Sequence, residues 1–312
     1  MIARVVSRPF AATASTTFGA RSSAVSVAGF HSSGAAQASL RELEQRVKSV
    51  KNIEKITKSM KMIAATKLGR AQRAMDAAIA YGKASNEIFV QSDAQDSPDA
   101  EKKGHEMFIV MSSDKGLCGG IHSALSKKTR QVVGAIKKEG GESPYVVTVG
   151  EKGKSQLSRA LPMEMALSFN QIGKDIPTYE DALAITDTIL KSELPVDKVN
   201  IIYNKYVSSI SFESVVLPVY TEGALLNAPK ISQYEMDESN AKDLAEFSFT
   251  NTVFATLVEG HASEINSKRN AMDNASKNAG EMITNLNLLY NRGRQAAITN
   301  ELIDIITGAS SM

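Results

Sequence analysis

The apolar positions of the last third of the chain recur at helical spacing. Between Asn251 and Thr307 there is no proline, and the larger apolar side chains recur mostly three, four or seven positions apart. This period predicts one continuous α-helix at residues 241–312. The positions that define it are Val253, Leu257, Ile265, Met272, Ala279, Ile283, Leu286 and Tyr290. At about 1.5 Å per residue, such a helix must project beyond a globular body of this chain length.

A second helical pattern lies near the start of the chain, at residues 38–97. Its apolar positions have the seam spacing of a coiled coil, and we expect the helix to run to about Ser92. Ser39 followed by Glu42 is a capping-box pattern, which predicts that the helix starts there. Pro98 breaks the pattern. The predicted seam consists of Leu40, Leu43, Val47, Val50, Ile56, Met60, Ile63 and Ala64.

The segment between these helices alternates strands with helices. Strands are predicted at 107–111, 145–149, 163–167, 198–203 and 210–219. Helices are predicted at 121–138, 151–158 and 178–191. This alternation predicts a mostly parallel sheet, with the last two strands as an antiparallel hairpin at one edge. The predicted fold class is therefore α/β: an antiparallel coiled coil of two long terminal helices with an inserted Rossmann-like α/β domain at 105–222.

The tip of the last helix is apolar on more than one face. The residues concerned are Ile298, Leu302, Ile303, Ile305 and Ile306. A helix that is apolar nearly all round is normally enclosed by other protein or by lipid. No apolar run reaches the roughly 18 residues of a membrane span, so we expect no direct span and a membrane connection only through partners. We therefore expect other chains to enclose this tip.

The N-terminal segment has the composition of a targeting sequence. Residues 1–37 contain Arg4, Arg8 and Arg21 among serine, threonine and alanine, and the first acidic residue is Glu42. This pattern predicts a mitochondrial transit peptide, with a disordered tail as the alternative. Without those arginines, basic and acidic residues nearly balance, which argues against generic nucleic-acid binding.

Two glycine-containing turns are candidates for phosphate binding, and neither has the required spacing. The segment 112–120, SSDKGLCGG, follows a strand but lacks the GxGxxG pattern, and 150–155, GEKGKS, is too short for a phosphate loop. A tight strand-to-helix turn is the better interpretation of both. The single Cys118 excludes an intrachain disulfide, and four scattered histidines suggest no metal cluster. We expect no cofactor, and not an enzyme that acts alone.

The first helix has a strongly basic face. From Arg41 to Arg73 there are ten basic residues against three acidic ones. Lys48, Lys51, Lys55 and Lys58 fall on one face at helical spacing. Because such a face repels itself, an acidic protein surface is a reason for its existence, while a merely solvated face is the alternative. RNA is a weaker alternative, since aromatic residues do not alternate with the cations.

Three stretches of the sequence form a set: KNIEKITKSMKMIAATKL (51–68), SSDKGLCGG (112–120) and LLYNRGRQAAITNELIDIITGAS (288–310). Together and in this order they resemble the gamma-subunit family of F-type ATP synthases, in its mitochondrial branch. The similarity spans the mature chain, and 298–310 is its most diagnostic part. The resemblance implies a central-stalk rotor that turns inside a ring of alpha and beta subunits and drives the beta catalytic sites in turn.

The resemblance also implies partners and a location. They are the alpha and beta subunits, which bind the nucleotide, the other central-stalk subunits and the membrane c-ring. The location is the mitochondrial inner membrane, peripherally on the matrix side. A coiled-coil scaffold or tether that carries an α/β domain is the alternative function, and a nucleotide-dependent enzyme is a third.

Several residues match positions of that family. Arg294 and Gln295 match a pair that hydrogen-bonds a beta-subunit loop. Met60 matches a methionine that faces a basic position of the other helix, which is usually arginine in the family. Here that position is Lys268, with Arg269 beside it. Lysine cannot make the planar, two-pronged contact of arginine. If Met60 lies opposite Lys268, Leu40 faces Leu288, and the last helix continues without a partner from residue 289. We expect subunit contacts at Arg294, Gln295, Met60, Lys268, Lys48, Lys51, Lys55, Lys58, Ile298, Leu302, Ile305 and Ile306.

Overall fold

The computed structural model of the chain contains two compact units. One comprises Met1–Glu42 with Tyr290–Met312, and the other Leu43–Leu289. The structure describes residues 32–92, 105–138, 142–172, 175–192, 194–226, 228–230, 234 and 238–311. Most of the predicted transit peptide, residues 1–31, and the predicted break at Pro98 lie outside this part of the chain.

The two long helices predicted at the ends of the chain are present. Helix α1 spans Ser32–Gln91 and helix α6 spans Glu238–Ser310. The predicted capping box is wrong, because Ser39 lies inside α1 and not at its start. Alanine-rich residues precede Ser39, and alanine is the strongest helix former, so nothing in the sequence stops the helix there.

The inserted domain contains a five-stranded sheet with three helices between its first four strands. The strands are β1 (Glu106–Met111), β2 (Tyr145–Val149), β3 (Met165–Phe169), β4 (Lys198–Tyr206) and β5 (Phe212–Val219). The helices are α2 (Ile121–Lys138), α3 (Glu151–Leu157) and α4 (Tyr179–Lys191). A short helix that was not predicted, α5, spans Glu222–Leu226.

The sheet has the order β3-β2-β1-β4-β5. The first four strands are parallel, and β5 pairs antiparallel with β4 at the edge, with Tyr206 opposite Phe212. The predicted mixed sheet and its edge hairpin are therefore confirmed. Because β1, β2 and β3 are parallel, their carboxyl ends meet at one edge, and the two glycine-containing turns lie side by side there.

The two faces of the sheet are covered by different helices. On one face, Phe108 and Val110 of β1 pack with residues of α2 and α3. On the other, Met107, Ile109 and Met111 pack with residues of α4 and also of α6. The α6 residues in this core are Phe249, Val253 and Leu257. From the sequence we expected α6 only in the coiled coil, whereas in the structure it also forms one wall of the core of the inserted domain.

The seam between α1 and α6 is formed by small residues. Ala71, Met75 and Ala78 of α1 pack with Val258 and Ala262 of α6. A Cβ at Gly82 would lie 2.9 Å from the Cβ of Ala255, so the two helices are almost in backbone contact there. Small residues on both helices permit this approach.

The predicted seam is wrong at two positions. Ile56 and Ile63 are each 58% exposed, and the buried neighbours are Thr57 and Ala64. Thr57 tolerates burial because its hydroxyl donates a hydrogen bond to the Ile53 carbonyl, at 2.9 Å, within its own helix. The two isoleucines consequently stay on the outside of the helix pair.

The predicted helix register is also wrong. A Cβ at Gly293 would lie 2.9 Å from Leu40 Cδ2, so the α6 residue on which Leu40 packs is Gly293, whereas the predicted one was Leu288. Within the other unit, Lys61 pairs with Asp273 at 2.7 Å. Met60 and Lys268 line a common cleft, but a register that sets them opposite each other does not place Lys61 next to Asp273. Pairing of the two helices extends at least to Gly293.

Candidate subunit-contact surfaces

The two glycine-containing turns hydrogen-bond to each other. Ser112 Oγ donates a hydrogen bond to the Val149 carbonyl at 2.8 Å and accepts one from the Gly153 amide at 2.9 Å. Asp114 Oδ1 accepts a hydrogen bond from the Glu151 amide at 2.9 Å. Backbone amides at the start of α3, of the kind that bind phosphate elsewhere, are thus engaged by side chains of the neighbouring turn. These hydrogen bonds account for the close packing of the two turns, so their glycines have a structural reason that requires no ligand.

Gly150 is the position where this packing depends most on glycine. Its φ is +98°, and an added Cβ would lie 2.6 Å from the Ser113 amide nitrogen. We expect Gly150→Ala to lower the free energy of unfolding by about 2–4 kcal/mol, since backbone strain and a backbone clash add together. Urea denaturation of the purified chain measures this. Gly134→Ala in α2 is the control, because its Cβ meets nothing within 4 Å; equal stability of the two variants would contradict the argument.

The turn at residues 112–120 is fixed to α6 by buried polar contacts. Ser267 Oγ donates a hydrogen bond to the Cys118 carbonyl at 2.6 Å, and the Cys118 thiol donates one to Glu264 Oε1 at 3.4 Å. Burial, and then the nearby Glu264, raises the pKa of the Cys118 thiol to about 12. Burial also raises the pKa of Glu264. The thiol is therefore protonated at neutral pH, which agrees with its interpretation as a small buried side chain and not a nucleophile.

His261 of α6 lies beside this network, and no sequence motif points to it. Burial, and then the positive charge of Lys67, lowers the pKa of His261 to about 4. The unfolded chain binds a proton on this histidine below about pH 6.5, whereas the folded chain does so only near pH 4. Folding stability must therefore fall as the pH drops through this window.

We expect this histidine to contribute a loss of about 2 kcal/mol in unfolding free energy between pH 7 and pH 5. His261→Gln removes the titrating group, so the variant should lose correspondingly less stability over the same interval. Urea denaturation of both chains at the two pH values gives the comparison. Identical pH dependence in the two chains would show that His261 is not held neutral by the fold.

Met60 and Lys268 are both residues of one cleft. Both line a cleft of about 170 Å³ between α1, α6 and the turn at 112–120. Arg269 does not take part, because its Nη2 donates a hydrogen bond to the Ser209 carbonyl at 3.2 Å, in the turn between β4 and β5. The basic α6 residue that shares this cleft with Met60 is therefore a lysine, without the planar fork of arginine.

The predicted basic face of α1 is exposed. Lys48, Lys51, Lys55 and Lys58 all lie on the surface. By contrast, Lys61 on the same helix forms an ion pair with Asp273. The exposed Ile53 and Ile56 belong to the same stretch of helix. This part of α1 thus presents positive charge and apolar area to the outside.

In the smaller unit, the predicted contact pair follows the last observed helix packing contact. Gly293 lies against Leu40, and Arg294 and Gln295 come next in α6 with exposed side chains. Within the described residues, no hydrogen bond or ion pair within the chain involves either side chain. Both are consequently available to a partner.

The apolar tip of α6 is exposed over several faces. The exposed fractions run from 49% at Ile298 to 67% at Ile305. The other exposed apolar residues of the tip are Leu302, Ile303 and Ile306. Within the part of the chain that the structure describes, no helix is both long and apolar enough to cross a membrane.

Comparison with known proteins shows the family to which the chain that carries these surfaces belongs. A family model described as ATP synthase matches residues 39–312. The mitochondrial ATP synthase subunit gamma of Yarrowia lipolytica is 49% identical over 276 residues, covering 88% of this chain and 92% of the relative. The chain belongs to the ATP synthase gamma-subunit family. The ATP synthase F(1) complex subunit gamma of Rattus norvegicus is 39% identical and covers 88% of this chain and 100% of the relative.

Two solved structures show the same fold as this gamma-family chain. A chain in the central stalk and c-ring structure of the Tetrahymena thermophila mitochondrial ATP synthase is similar with a TM-score of 0.61 at 25% identity, covering 71% of this chain and 99% of that one. A chain of the Euglena gracilis mitochondrial ATP synthase has a TM-score of 0.72 at 16% identity, covering 88% and 95%. The predicted family and fold are confirmed.

Proposed function

We propose that this chain is the rotor of the central stalk of a mitochondrial proton-transporting ATP synthase, where it couples proton-driven rotation to ATP synthesis on the beta subunits. The observation that carries the proposal is the end of α6, where isoleucines and leucine beyond Gly293 are exposed on several faces. Such a surface needs an apolar enclosure, which the described residues of this chain do not supply.

The rotor is a non-catalytic subunit. The amides of Glu151 and Gly153 in the second glycine-containing turn donate their hydrogen bonds to Asp114 and Ser112 of the first. The Cys118 thiol is buried, with a pKa of about 12. The chain's part in ATP synthesis is to offer different surfaces to equivalent catalytic sites as it turns. One face of α1 is basic and the tip is apolar, so each beta subunit contacts a different surface at each rotation angle of the chain. This difference in contact shifts the three otherwise equivalent catalytic sites into different states.

The partners follow from this role. The ring of alpha and beta subunits encloses the tip and the basic face formed by Lys48, Lys51, Lys55 and Lys58. The inserted α/β domain stands with the other central-stalk subunits on the c-ring. The protein is then peripheral to the mitochondrial inner membrane on its matrix side. The relatives are named as mitochondrial gamma subunits, and the Tetrahymena structure is described as central stalk and c-ring. A scaffold or tether is not favoured.

Affinity purification of the tagged chain from mitochondria tests the proposal. A rotor co-purifies with a nucleotide-binding hexamer, at one copy of this chain for three alpha and three beta subunits. Quantitative mass spectrometry of the eluate measures that ratio. A homo-oligomer without an associated ATPase would instead support the scaffold, and ATP binding by the isolated chain would support an enzyme; either result would overturn the rotor.

A further inference from the structure

The turn that connects β4 to β5 exposes its apolar side chains. β4 ends at Tyr206 and β5 begins at Phe212, and we refer to residues 207–211 between them as the hairpin tip. Ile210 is 85% exposed and Val207 is 55% exposed. The other residues of the hairpin tip are Ser208, Ser209 and Ser211. Single exposed apolar side chains are common on protein surfaces, so exposure alone does not assign a role to Ile210.

Hydrogen bonds within the hairpin tip fix its shape. Ser208 Oγ accepts hydrogen bonds from the backbone amides of Ile210 at 3.3 Å and Ser211 at 3.2 Å. The Ser211 carbonyl accepts one from the Ser208 amide at 3.1 Å and one from the Val207 amide at 3.4 Å. A serine oxygen thus bridges the turn and engages the amide of Ile210 and that of its neighbour. The backbone that carries Ile210 is therefore held in one conformation.

Three side chains of α6 also bind the hairpin tip. Asn266 Nδ2 donates a hydrogen bond to the Ser208 carbonyl at 3.1 Å. Asn270 Nδ2 and Arg269 Nη2 both donate to the Ser209 carbonyl, at 2.8 Å and 3.2 Å. Asn266 is only 3% exposed, so its contact with the turn is shielded from water. The hairpin tip is thus attached to α6 and moves with that helix.

The end of β4 is attached to both long helices. The Tyr206 amide donates a hydrogen bond to Glu259 Oε1 of α6 at 3.2 Å, and Gln72 Nε2 of α1 donates one to Tyr206 Oη at 2.9 Å. Together with the contacts of the hairpin tip, these bonds fix the position of Ile210 relative to both helices. A side chain on a rigid support loses little conformational entropy when a partner covers it. This pre-organisation, added to the exposure, points to a binding role for Ile210.

The size and charge of the hairpin tip restrict what can cover it. Two apolar side chains bury far less than the roughly 1,200 Å² of a stable dimer interface, so a second copy of the chain does not suffice. The charged side chains that flank or contact the tip are Lys205, Glu213 and Arg269, with a net charge of one positive. Membrane binding scales with buried apolar area and with attraction to anionic lipids, and both are small here. A protein chain that also contacts this chain elsewhere fits the tip best.

We propose that Ile210 is an anchor residue that inserts into an apolar pocket on another protein chain of the assembled complex. Val207 lies at the edge of this contact, and the serines of the hairpin tip surround it. An apolar anchor within a polar rim is the anatomy of many protein interfaces. The proposal rests on the proposed function, because the synthase complex supplies the partner. A partner that holds Ile210 then acts on both α1 and α6, to which the hairpin is bonded.

Complex assembly in mitochondria that carry variant chains tests the anchor. Ile210→Asp should leave the Tm of the isolated chain within about 2 °C, because the side chain is exposed, and lower the yield of assembled complex at least about fivefold. Ile210→Leu keeps an apolar side chain and should retain most of that yield. Met163→Asp is the matched control, since Met163 is 92% exposed in the same domain and receives the same charge. Equal yields from the Ile210→Asp and Met163→Asp chains would overturn the proposal.

A photo-crosslinking amino acid in place of Ile210 identifies what covers the hairpin tip. In the purified complex we expect a covalent product with one partner protein, located by mass spectrometry, and no such product when the crosslinker replaces Met163. A product with a second copy of this chain, a product with a phospholipid, the same product from both positions, or no product would each overturn the proposal. The rotor assignment is decided separately, because the hexamer can co-purify at the expected ratio while the crosslinker at Ile210 captures nothing.

Discussion

Replacing Arg294 and Gln295 together by alanine should leave the chain folded and lower coupled ATP synthesis at least tenfold. Both side chains are exposed and lack partners within the described chain, so their loss removes nothing from its own stability. In the proposed complex each donates to a beta subunit, and a hydrogen bond that involves a charged group contributes about 1.5–3 kcal/mol. The two together exceed the 1.4 kcal/mol that corresponds to one factor of ten.

The measurement is ATP synthesis by mitochondria that carry the variant, together with the yield of assembled complex and the circular dichroism of the chain. Asn291→Ala with Arg292→Ala is the matched control, since these neighbours are equally exposed and carry the same total charge. Unchanged synthesis and yield in the Arg294/Gln295 variant would rule out the contact role of that pair. An equal defect in both double variants would show a general sensitivity of the helix and not a specific contact.

The inserted domain could be predicted from the sequence almost completely. Its strands β1 and β2 are buried on both faces and therefore appear as short apolar runs, 107–111 and 145–149, separated by an amphipathic helix. The edge hairpin was predictable because β4 and β5 lie too close in sequence for a helical crossover. Local pattern and tertiary packing agree in this region, which is why the prediction holds.

The coiled coil was predictable as a structure but not in its details. Thr57 belongs to the buried seam because its hydroxyl bonds within its own helix, and Thr256 of α6 does the same by donating to the Thr252 carbonyl at 2.8 Å. The sequence alone does not show whether a threonine in a helix is buried in this way or exposed to solvent. The register likewise depends on contacts such as Leu40 with Gly293, which a single chain's periodicity does not specify.

The buried polar network could not be predicted, since its members come from distant parts of the chain. Cys118, Glu264 and Ser267 meet only because the turn after β1 packs on α6. In the sequence, Glu264 is one more acidic residue of a long helix. The predicted contact residues Arg294, Gln295, Lys48, Lys51, Lys55 and Lys58 are exposed. Their contacts with other subunits remain predictions.

The second large effect concerns the apolar tip. We expect Ile305→Asp with Ile306→Asp to leave the isolated chain as stable as before and to prevent assembly of an active complex. The two side chains are 67% and 65% exposed, so aspartate removes little packing in the free chain and costs only the small penalty of a negative charge near a helix C-terminus. Inside an apolar enclosure, each unpaired carboxylate loses its hydration at a cost of several kcal/mol. Two such costs are comparable to the whole stability of an ordinary protein domain.

The control adds the same charge to the same helix at polar positions. Asn300 and Thr307 are exposed, and Asn300→Asp with Thr307→Asp should reduce assembly much less. Co-purification yield and ATP hydrolysis by the purified complex measure both variants. If the isoleucine variant assembles and hydrolyses ATP normally, the tip is not enclosed, and the rotor proposal loses its main supporting observation. If both variants fail equally, negative charge itself is excluded from this part of the complex, and an apolar bearing is no longer the explanation.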